Sequence, residues 1–234
     1  MKTLGLIGGM SWQSTIPYYR EINTQVQQRL GGLHSAKILL ASVDFAEVEL
    51  LQRQGDWLAA GQLLAQQALA LQTAGAQAIV LCTNTMHKVA QAIEAAVAIP
   101  LLHIADATAL QIQAHGIKRV ALLGTRFTME QEFYKHRLEE RFQLQVLTPN
   151  EADRHLVHDI IYQQLCHGII LEDSRQHYRR IMQQLVQQGA QAIILGCTEI
   201  MLLVDQADSP VPLFDTTTLH ALAAVDAALA QGGA

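Results

Sequence analysis

The chain has 234 residues, of which half are hydrophobic, and 16 Lys and Arg against 21 Asp and Glu give a net charge of -5. This length and apolar content predict a globular protein that buries one large core or two ordinary ones. No basic run suits a phosphate backbone, so a nucleic-acid partner is not expected. The N-terminus has no cleavage pattern and no run approaches the ~18 apolar residues of a membrane span, which predicts a cytoplasmic protein with no membrane partner.

The first hundred residues alternate between predicted strands and helices. Strands are predicted at residues 4–7, 37–43, 75–81 and 100–102, from short β-branched runs that follow Gly or Pro. Helices are predicted from about Ser14 to Leu30, from Asp56 to near Gly75 and from about Thr85 to Ala95. Neither a helix nor a strand is predicted for residues 44–55.

The same order then starts again, with closely similar spacing. Residues 118–124 mirror 2–8 at an offset of 116 (118 minus 2), 189–195 repeat 75–81 at 114 (189 minus 75), and 211–215 echo 99–103 at 112 (211 minus 99). Helices are predicted around 129–141, 153–167 and 174–188, a short strand at 144–147, and a terminal helix from Thr216. The repeat predicts an α/β fold of two pseudo-symmetric domains, each with a central parallel sheet flanked by helices. We expect residues 1–103 plus the C-terminal helix 216–234 to form the first domain, and residues 104–215 the second.

Polar side chains follow each copy of the repeated strand. They are Cys82, Thr83, Asn84 and Thr85 after the first copy, and Gly196, Cys197, Thr198 and Glu199 after the second. The carboxyl ends of parallel strands are where α/β proteins hold their sites, so we expect an active site in the cleft between the two domains. Read without gaps, the repeat sets Thr83 against Cys197, and strand alternation points Cys82 to the opposite face.

The three cysteines are expected to be free thiols. Cys82, Cys166 and Cys197 are an odd number and have no metal-ligand spacing, which argues against a disulfide framework and predicts no metal site. Cys166 is expected to be a packed core thiol. Cys197 follows a strand and precedes a predicted helix N-terminus, which we expect, together with Thr198 and backbone N–H groups, to lower the pKa of its thiol.

Groups related by an internal repeat suit one class of reaction well. Racemisation or epimerisation removes a proton from one face of a carbon and returns a proton to the other face. The chain has neither the glycine fingerprint of a dinucleotide site nor a phosphate-binding loop with its lysine.

Four motifs carry a resemblance to a known family. At GGMSW (8–12), CTNTM (82–86), GTRFTM (124–129) and GCTE (196–199), the chain resembles the aspartate/glutamate racemase family, and the similarity runs from residue 4 to about residue 220. The resemblance implies two pseudo-symmetric α/β domains, an amino-acid substrate, no cofactor and a homodimer. Thr83 stands where the family's first catalytic Cys belongs, and this departure resembles a subgroup of L-aspartate/glutamate-specific racemases.

The resemblance and the repeat together imply roles for the site residues. Cys197 is expected to remove the α-proton of an L-amino acid, and Thr83 to donate or relay a proton from the opposite face. The expected substrate-binding residues are Met10, Gln52, Arg53, Asn84, Thr85, Thr125, Thr128, Thr198 and Glu199. Arg53 is a candidate partner for a side-chain carboxylate of the substrate, and the alternative is a solvated surface charge. His87 is more often a hydrogen-bonded structural histidine than a catalyst.

Three other functions stay open on the sequence alone. Some relatives that the chain resembles are broad-specificity racemases of neutral amino acids. Decarboxylases and isomerases of small dicarboxylic acids also use thiols at strand ends. A non-catalytic binding protein for small acids is the third, although paired polar clusters with a thiol exceed what binding alone requires.

Overall fold

The computed structural model describes residues 1–230. Residues 231–234, which the sequence analysis assigns to the terminal helix, lie outside the described residues. The chain divides into two compact units: one contains residues 1–104 and the segment that begins at His220, and the other contains residues 105–219.

The first unit is built on a four-stranded parallel sheet. Its strands are β1 (Leu4–Gly8), β2 (Ile38–Ser42), β3 (Ala78–Leu81) and β4 (Leu101–Leu102), in the order β2-β1-β3-β4. Its helices are α1 (Trp12–Leu30), α2 (Phe45–Gln54), α3 (Trp57–Thr73) and α4 (Ala90–Ala96), and a 3-10 helix (Thr85–Val89) precedes α4. All four residues of β3 are buried, as expected for a strand that is covered on both faces.

The second unit repeats this topology. Its strands are β5 (Arg119–Gly124), β6 (Gln145–Leu147), β7 (Ala192–Gly196) and β8 (Leu213–Asp215), in the order β6-β5-β7-β8 and again all parallel. Its helices are α5 (Ile104–Ala114), which begins at the boundary between the units, α6 (Arg126–Glu130), α7 (Glu132–Phe142), α8 (Glu151–Gln163) and α9 (Glu172–Gln187). The last helix, α10 (Thr216–Leu229), starts in this unit and continues from His220 in the first unit. Two parallel four-stranded sheets with helices on their faces confirm the predicted fold class.

Strand alternation separates the two faces of each sheet. In β3, Ile79 and Leu81 pack in one core cluster, whereas Val80 and the following Cys82 pack in another that includes Tyr18 of α1. In β7, Ile193, Leu195 and the following Cys197 share a single cluster. The position that continues the Ile79 and Leu81 side of β3 is therefore residue 83, not residue 82.

Several predicted boundaries are wrong. Helix α2 occupies a stretch with no predicted helix; Asp44 caps it by accepting a hydrogen bond from the Ala46 N–H (3.0 Å), and it ends at Gly55 with φ 73°. Helix α5 was not predicted either. The first helix begins at Trp12 with Ser11 as its N-cap, two residues before the predicted start. The predicted helix at 129–141 is two helices, α6 and α7, that are separated at Gln131.

Within residues 1–230, no helix is both long enough and apolar enough to cross a lipid bilayer.

Candidate active site

The polar residues after β3 lie together at the end of that strand. The Thr83 N–H donates to the Leu81 carbonyl oxygen (2.8 Å), which turns the chain at the strand end. Asn84 then occupies the N-cap position of the 3-10 helix that Thr85 opens. Thr83, Asn84 and Thr85 are each at most 6% exposed. Three predicted site residues of the first unit are therefore buried side by side.

Cys82 lies on the other side of the strand. Its side chain is completely buried, and its sulfur lies 3.7 Å from the Val80 carbonyl oxygen. Burial raises the pKa of the Cys82 thiol far above its ordinary value. Cys82 has the surroundings of a packed core thiol.

Met10 and Gln52 are buried in the first unit, whereas Arg53 lies at its surface. Met10 belongs to the same core cluster as Met86, and the Gln52 side-chain amide donates to the Met86 sulfur (2.9 Å). The Arg53 side chain is 69% exposed, and its Nε lies 3.8 Å from a Glu49 carboxylate oxygen one helical turn earlier. In this conformation Arg53 is a solvated charge, which was the alternative interpretation of its sequence position.

Two glycines bring β5 and β7 close together where both strands end. Gly124 pairs with Gly196, and a Cβ at Gly124 would lie 2.7 Å from the Gly196 carbonyl oxygen, so the approach requires glycine. Thr125 caps α6: its Oγ1 accepts from the Thr128 N–H (3.3 Å) and lies 3.2 Å from the Thr128 hydroxyl. Both threonines are buried, beside the strand end that carries Cys197.

The Cys197 thiol is hydrogen-bonded to a carboxylate. Its Sγ donates to Oε2 of Glu199 (2.9 Å), and the Thr198 hydroxyl donates to the same oxygen (2.9 Å). Cys197, Thr198 and Glu199 are 7%, 2% and 3% exposed. The three residues after β7 thus form one buried cluster, in which the protonated thiol donates a hydrogen bond and the Glu199 carboxylate accepts that bond.

The expectation of a lowered thiol pKa is wrong. Burial raises the pKa of Cys197 well above its ordinary value, and the negative charge of Glu199 raises it further. The charge of a Cys166 thiolate would act in the same direction. The Thr198 hydroxyl binds Glu199 rather than the sulfur. The helix after Cys197 is one 3-10 turn (Ile200–Leu202), too short to provide the dipole of a long helix. These surroundings therefore favour the protonated thiol over the thiolate.

Tyr178 is completely buried in the same unit, and Cys166 is half-buried there. Tyr178 belongs to the core cluster of Cys197, and Cys166 packs against that cluster, as expected for a core thiol. Burial raises the pKa of both side chains, and the Glu199 charge raises each of them further. In the part of the chain that the structure describes, no group of three or more His, Cys, Asp and Glu side chains is arranged to hold a metal ion.

The site has a buried thiol with a hydrogen-bond acceptor after one copy of the repeated strand and a buried hydroxyl after the other copy. This arrangement is compatible with the family that the sequence motifs resemble. The model of the Asp/Glu/hydantoin racemase family matches residues 7–224. The chain belongs to this family.

Two solved structures and one named relative are similar to the chain over nearly its whole length. The chain is 62% identical to a proposed Asp/Glu racemase from Yersinia pestis, with 98% of this chain and 100% of that chain covered and a TM-score of 0.91. It is 31% identical to an aspartate racemase homologue from Pyrococcus horikoshii (97% and 99% covered, TM-score 0.84). It is 24% identical to a broad-specificity amino-acid racemase from Bacillus subtilis, over 97% of this chain and 98% of that protein. These relationships confirm the predicted enzyme class, an amino-acid racemase.

Proposed function

We propose that this racemase interconverts the enantiomers of aspartate and glutamate without a cofactor, with Cys197 as the base for the L-enantiomer and Thr83 on the opposite face. The hydrogen bond from Cys197 to Glu199 carries the proposal. It joins the proposed carbon base to a proton acceptor directly after β7, and the sequence repeat sets Cys197 against Thr83, which follows β3.

Proton transfer to Glu199 explains how a thiol with a raised pKa acts as a base. When substrate binds, the S–H proton of Cys197 passes to Oε2 of Glu199, which leaves a thiolate and a neutral carboxylic acid. This transfer conserves the net charge of the buried cluster. The thiolate then takes the α-proton of the L-amino acid, so the C–H bond breaks, a new S–H bond forms and the electron pair stays on the α-carbon.

The negative charge that develops on the substrate requires donors. We propose that Asn84, Thr85 and Thr198, with the backbone N–H groups at the two strand ends, bind the α-carboxylate and stabilise the carbanion. Met10, Gln52, Thr125 and Thr128 shape the remaining pocket. We propose that each of the two domains predicted from the repeat, residues 1–103 with the C-terminal helix and residues 104–215, supplies one of these strand ends.

Reprotonation from the Thr83 face completes the inversion. The Thr83 hydroxyl donates its proton to the carbanion and regains one from water, so no alkoxide persists. Glu199 releases to solvent the proton that it took from Cys197, which neutralises the hydroxide left by that water and restores the carboxylate. A hydroxyl is a far weaker acid than a thiol, and removal of the D-enantiomer's proton by Thr83 is correspondingly slow. Because the equilibrium mixture is racemic, this asymmetry lies in kcat and KM and leaves the equilibrium unchanged.

Arg53 is the proposed partner for the substrate's side-chain carboxylate. To serve this role it must leave Glu49, which it contacts only at 3.8 Å and in solvent. An exposed ion pair of this kind is worth little, so the rearrangement is inexpensive. The same exposure favours a second candidate, racemisation of neutral amino acids, for which no side-chain carboxylate partner is needed.

We also propose that the protein is a homodimer. Helix α1 exposes Trp12 (61%), Ile16 (53%) and Tyr19 (57%), which are spaced by four and three residues and lie on one face. Burial of this stripe would remove roughly 350 Å² per subunit, nearly half of the ~800 Å² that each partner contributes to a standard interface. A second copy of the chain is the proposed occupant.

A screen of L-amino acids in D2O tests the function and the substrate class together. Exchange of the α-proton, measured by NMR, reports proton removal even when inversion is slow. We expect exchange with aspartate and glutamate, and an Arg53→Gln variant with a raised KM for both. Equal exchange of neutral amino acids that is unaffected by Arg53→Gln would select the second candidate. Loss of carbon dioxide, or isomerisation of a dicarboxylic acid, would assign a different reaction.

A further inference from the structure

His87 links the backbone of Thr83 to the start of α5. The ring is 3% exposed; its Nδ1 lies 2.7 Å from the Thr83 carbonyl oxygen, and its Nε2 lies 3.2 Å from the Ile104 backbone nitrogen. A backbone N–H can only donate, so Nε2 accepts from Ile104, and Nδ1 carries the proton that is donated to Thr83. The two contacts together select one neutral tautomer of His87.

With this contact, both the backbone N–H and the backbone carbonyl of Thr83 are hydrogen-bonded. The Thr83 N–H already donates to Leu81 (2.8 Å), and the carbonyl oxygen accepts from His87. With both backbone groups bound, the position of the Thr83 side chain depends mainly on its single χ1 torsion, which β-branching restricts. His87 therefore helps to hold the backbone from which the Thr83 hydroxyl projects.

The neighbours of His87 suit a neutral ring. The His103 ring lies 4.4 Å away and the His220 ring 5.8 Å away, measured between centroids, and both are buried. Nδ1 of His220 is in turn hydrogen-bonded to the Tyr18 hydroxyl, at 2.8 Å. A doubly protonated His87 would point a second N–H at the Ile104 N–H, which places two donors against each other.

We propose that His87 is a positioning residue that fixes Thr83 for proton transfer on the second face of the substrate. The proposal rests on the proposed role of Thr83. It concerns inversion specifically, since proton removal from the L-enantiomer depends on Cys197 of the other unit.

Two substitutions each preserve only one of the two hydrogen bonds that the imidazole makes. In His87→Asn, the amide nitrogen takes a place close to Nδ1 and can still donate to the Thr83 carbonyl. In His87→Gln, the longer side chain places its amide oxygen close to Nε2, where it accepts from Ile104 but does not serve Thr83. Both side chains are neutral and polar, so each is a matched control for the other.

The readout is a ratio of two rates measured on the same L-substrate in D2O. One rate is exchange of the α-proton with retention, and the other is inversion to the D-enantiomer. We expect His87→Asn to keep the wild-type ratio of inversion to exchange, and His87→Gln to lower that ratio about tenfold or more, the scale of a misplaced catalytic group. A loss of stability alone lowers both rates by the same factor and leaves the ratio unchanged.

A second measurement does not depend on either variant folding. In wild-type protein with ¹⁵N-labelled histidine, His87 should show a protonated Nδ1 and an unprotonated Nε2. The opposite tautomer, or an unchanged ratio in an active His87→Gln variant, overturns this inference and leaves the proposed function standing. A wild-type protein that exchanges no α-proton overturns the proposed function and this inference with it.

Discussion

The thiol of Cys197 donates a 2.9 Å hydrogen bond to the carboxylate of Glu199, and both side chains are almost fully buried. The negative charge of the carboxylate raises the pKa of the thiol, and the same carboxylate accepts the hydrogen bond of the thiol. In the proposed mechanism, Glu199 therefore has two opposing effects: its charge disfavours the thiolate, and its carboxylate takes the proton when the thiolate forms.

Glu199→Gln separates these two effects. Removal of the negative charge should lower the pKa of Cys197, although burial, which is the larger cause, still holds it above its ordinary value. Loss of the proton acceptor should nevertheless slow α-proton exchange by about 10²-fold. The pKa is measured from the ultraviolet absorbance of the thiolate against pH, after subtraction of the Cys197→Ala signal.

Glu140→Gln is the matched control, because that side chain is 64% exposed. It should change neither the thiolate titration nor the exchange rate. A Cys197 pKa that stays the same or rises in Glu199→Gln would contradict the assigned coupling.

Thr83→Cys should restore a thiol on the second face. A thiol supplies some thiolate near neutral pH and a threonine hydroxyl supplies essentially none, so the variant should gain exchange of the D-enantiomer's α-proton. Cys82→Ala should change activity little, because Cys82 packs in the core. Loss of D-enantiomer exchange in Cys82→Ala, with no gain in Thr83→Cys, would show that the register is shifted by one residue.

His220 should make the fold sensitive to mild acid. Its Nε2 lies 2.7 Å from the Leu102 carbonyl oxygen and its Nδ1 lies 2.8 Å from the Tyr18 hydroxyl, and burial lowers its pKa to about 4. An unfolded chain binds a proton on this ring below about pH 6.5, so between that pH and about 4 the unfolded state binds more protons. Stability should fall as the pH drops through this window, by up to about 3 kcal/mol from this group.

The check is the free energy of unfolding in urea at neutral and mildly acidic pH. His220→Gln removes the titrating ring but can still donate to Leu102, so its stability should depend less on pH than that of wild type. His34→Gln, at an exposed position, should keep the wild-type dependence. An undiminished dependence in His220→Gln would show that other groups cause the acid sensitivity.

Ile16→Glu should dissociate the proposed dimer. A charge in the middle of the exposed stripe on α1 is tolerated in a monomer but is costly when a second copy covers it. Light scattering should give twice the chain mass for wild type and the chain mass for the variant. Leu58→Glu, at a 75% exposed position on α3, is the control and should stay dimeric. A monomeric wild type, or a dimeric Ile16→Glu variant, would show that the exposed stripe on α1 is not a dimer interface.

Strand positions and a parallel sheet in each half were predictable because the strands are short local patterns that recur at a common spacing, whereas the order of the strands is found only in the structure. Buried strands such as residues 78–81 and 192–196 are short apolar runs after Gly, and their common spacing indicates equivalent places in two sheets. Helix α2 was missed because the polar run Gln52-Arg53-Gln54 obscures its apolar face. Its signal was Asp44, an N-cap residue directly after a strand.

The chemical state of the site was less predictable than its residues. The spacing of Cys197 and Glu199 is visible in the sequence, but the direction of the thiol pKa depends on burial and on which way the carboxylate points. His87 has a local signal, because it lies four residues after Thr83. Its second partner, Ile104, is 17 residues away and is found only in the folded chain.

The most direct test of the account is α-proton exchange from L-aspartate and L-glutamate in D2O by wild type, Cys197→Ala and Cys166→Ala. Both variants lose a thiol that packs in or against the same core cluster, so a general effect of cavity formation appears in each. We predict that Cys197→Ala lowers the exchange rate by about 10²- to 10⁴-fold, the range for loss of a general base, and that Cys166→Ala retains most of it. Exchange close to the wild-type rate in Cys197→Ala would contradict the assignment of Cys197 as the base.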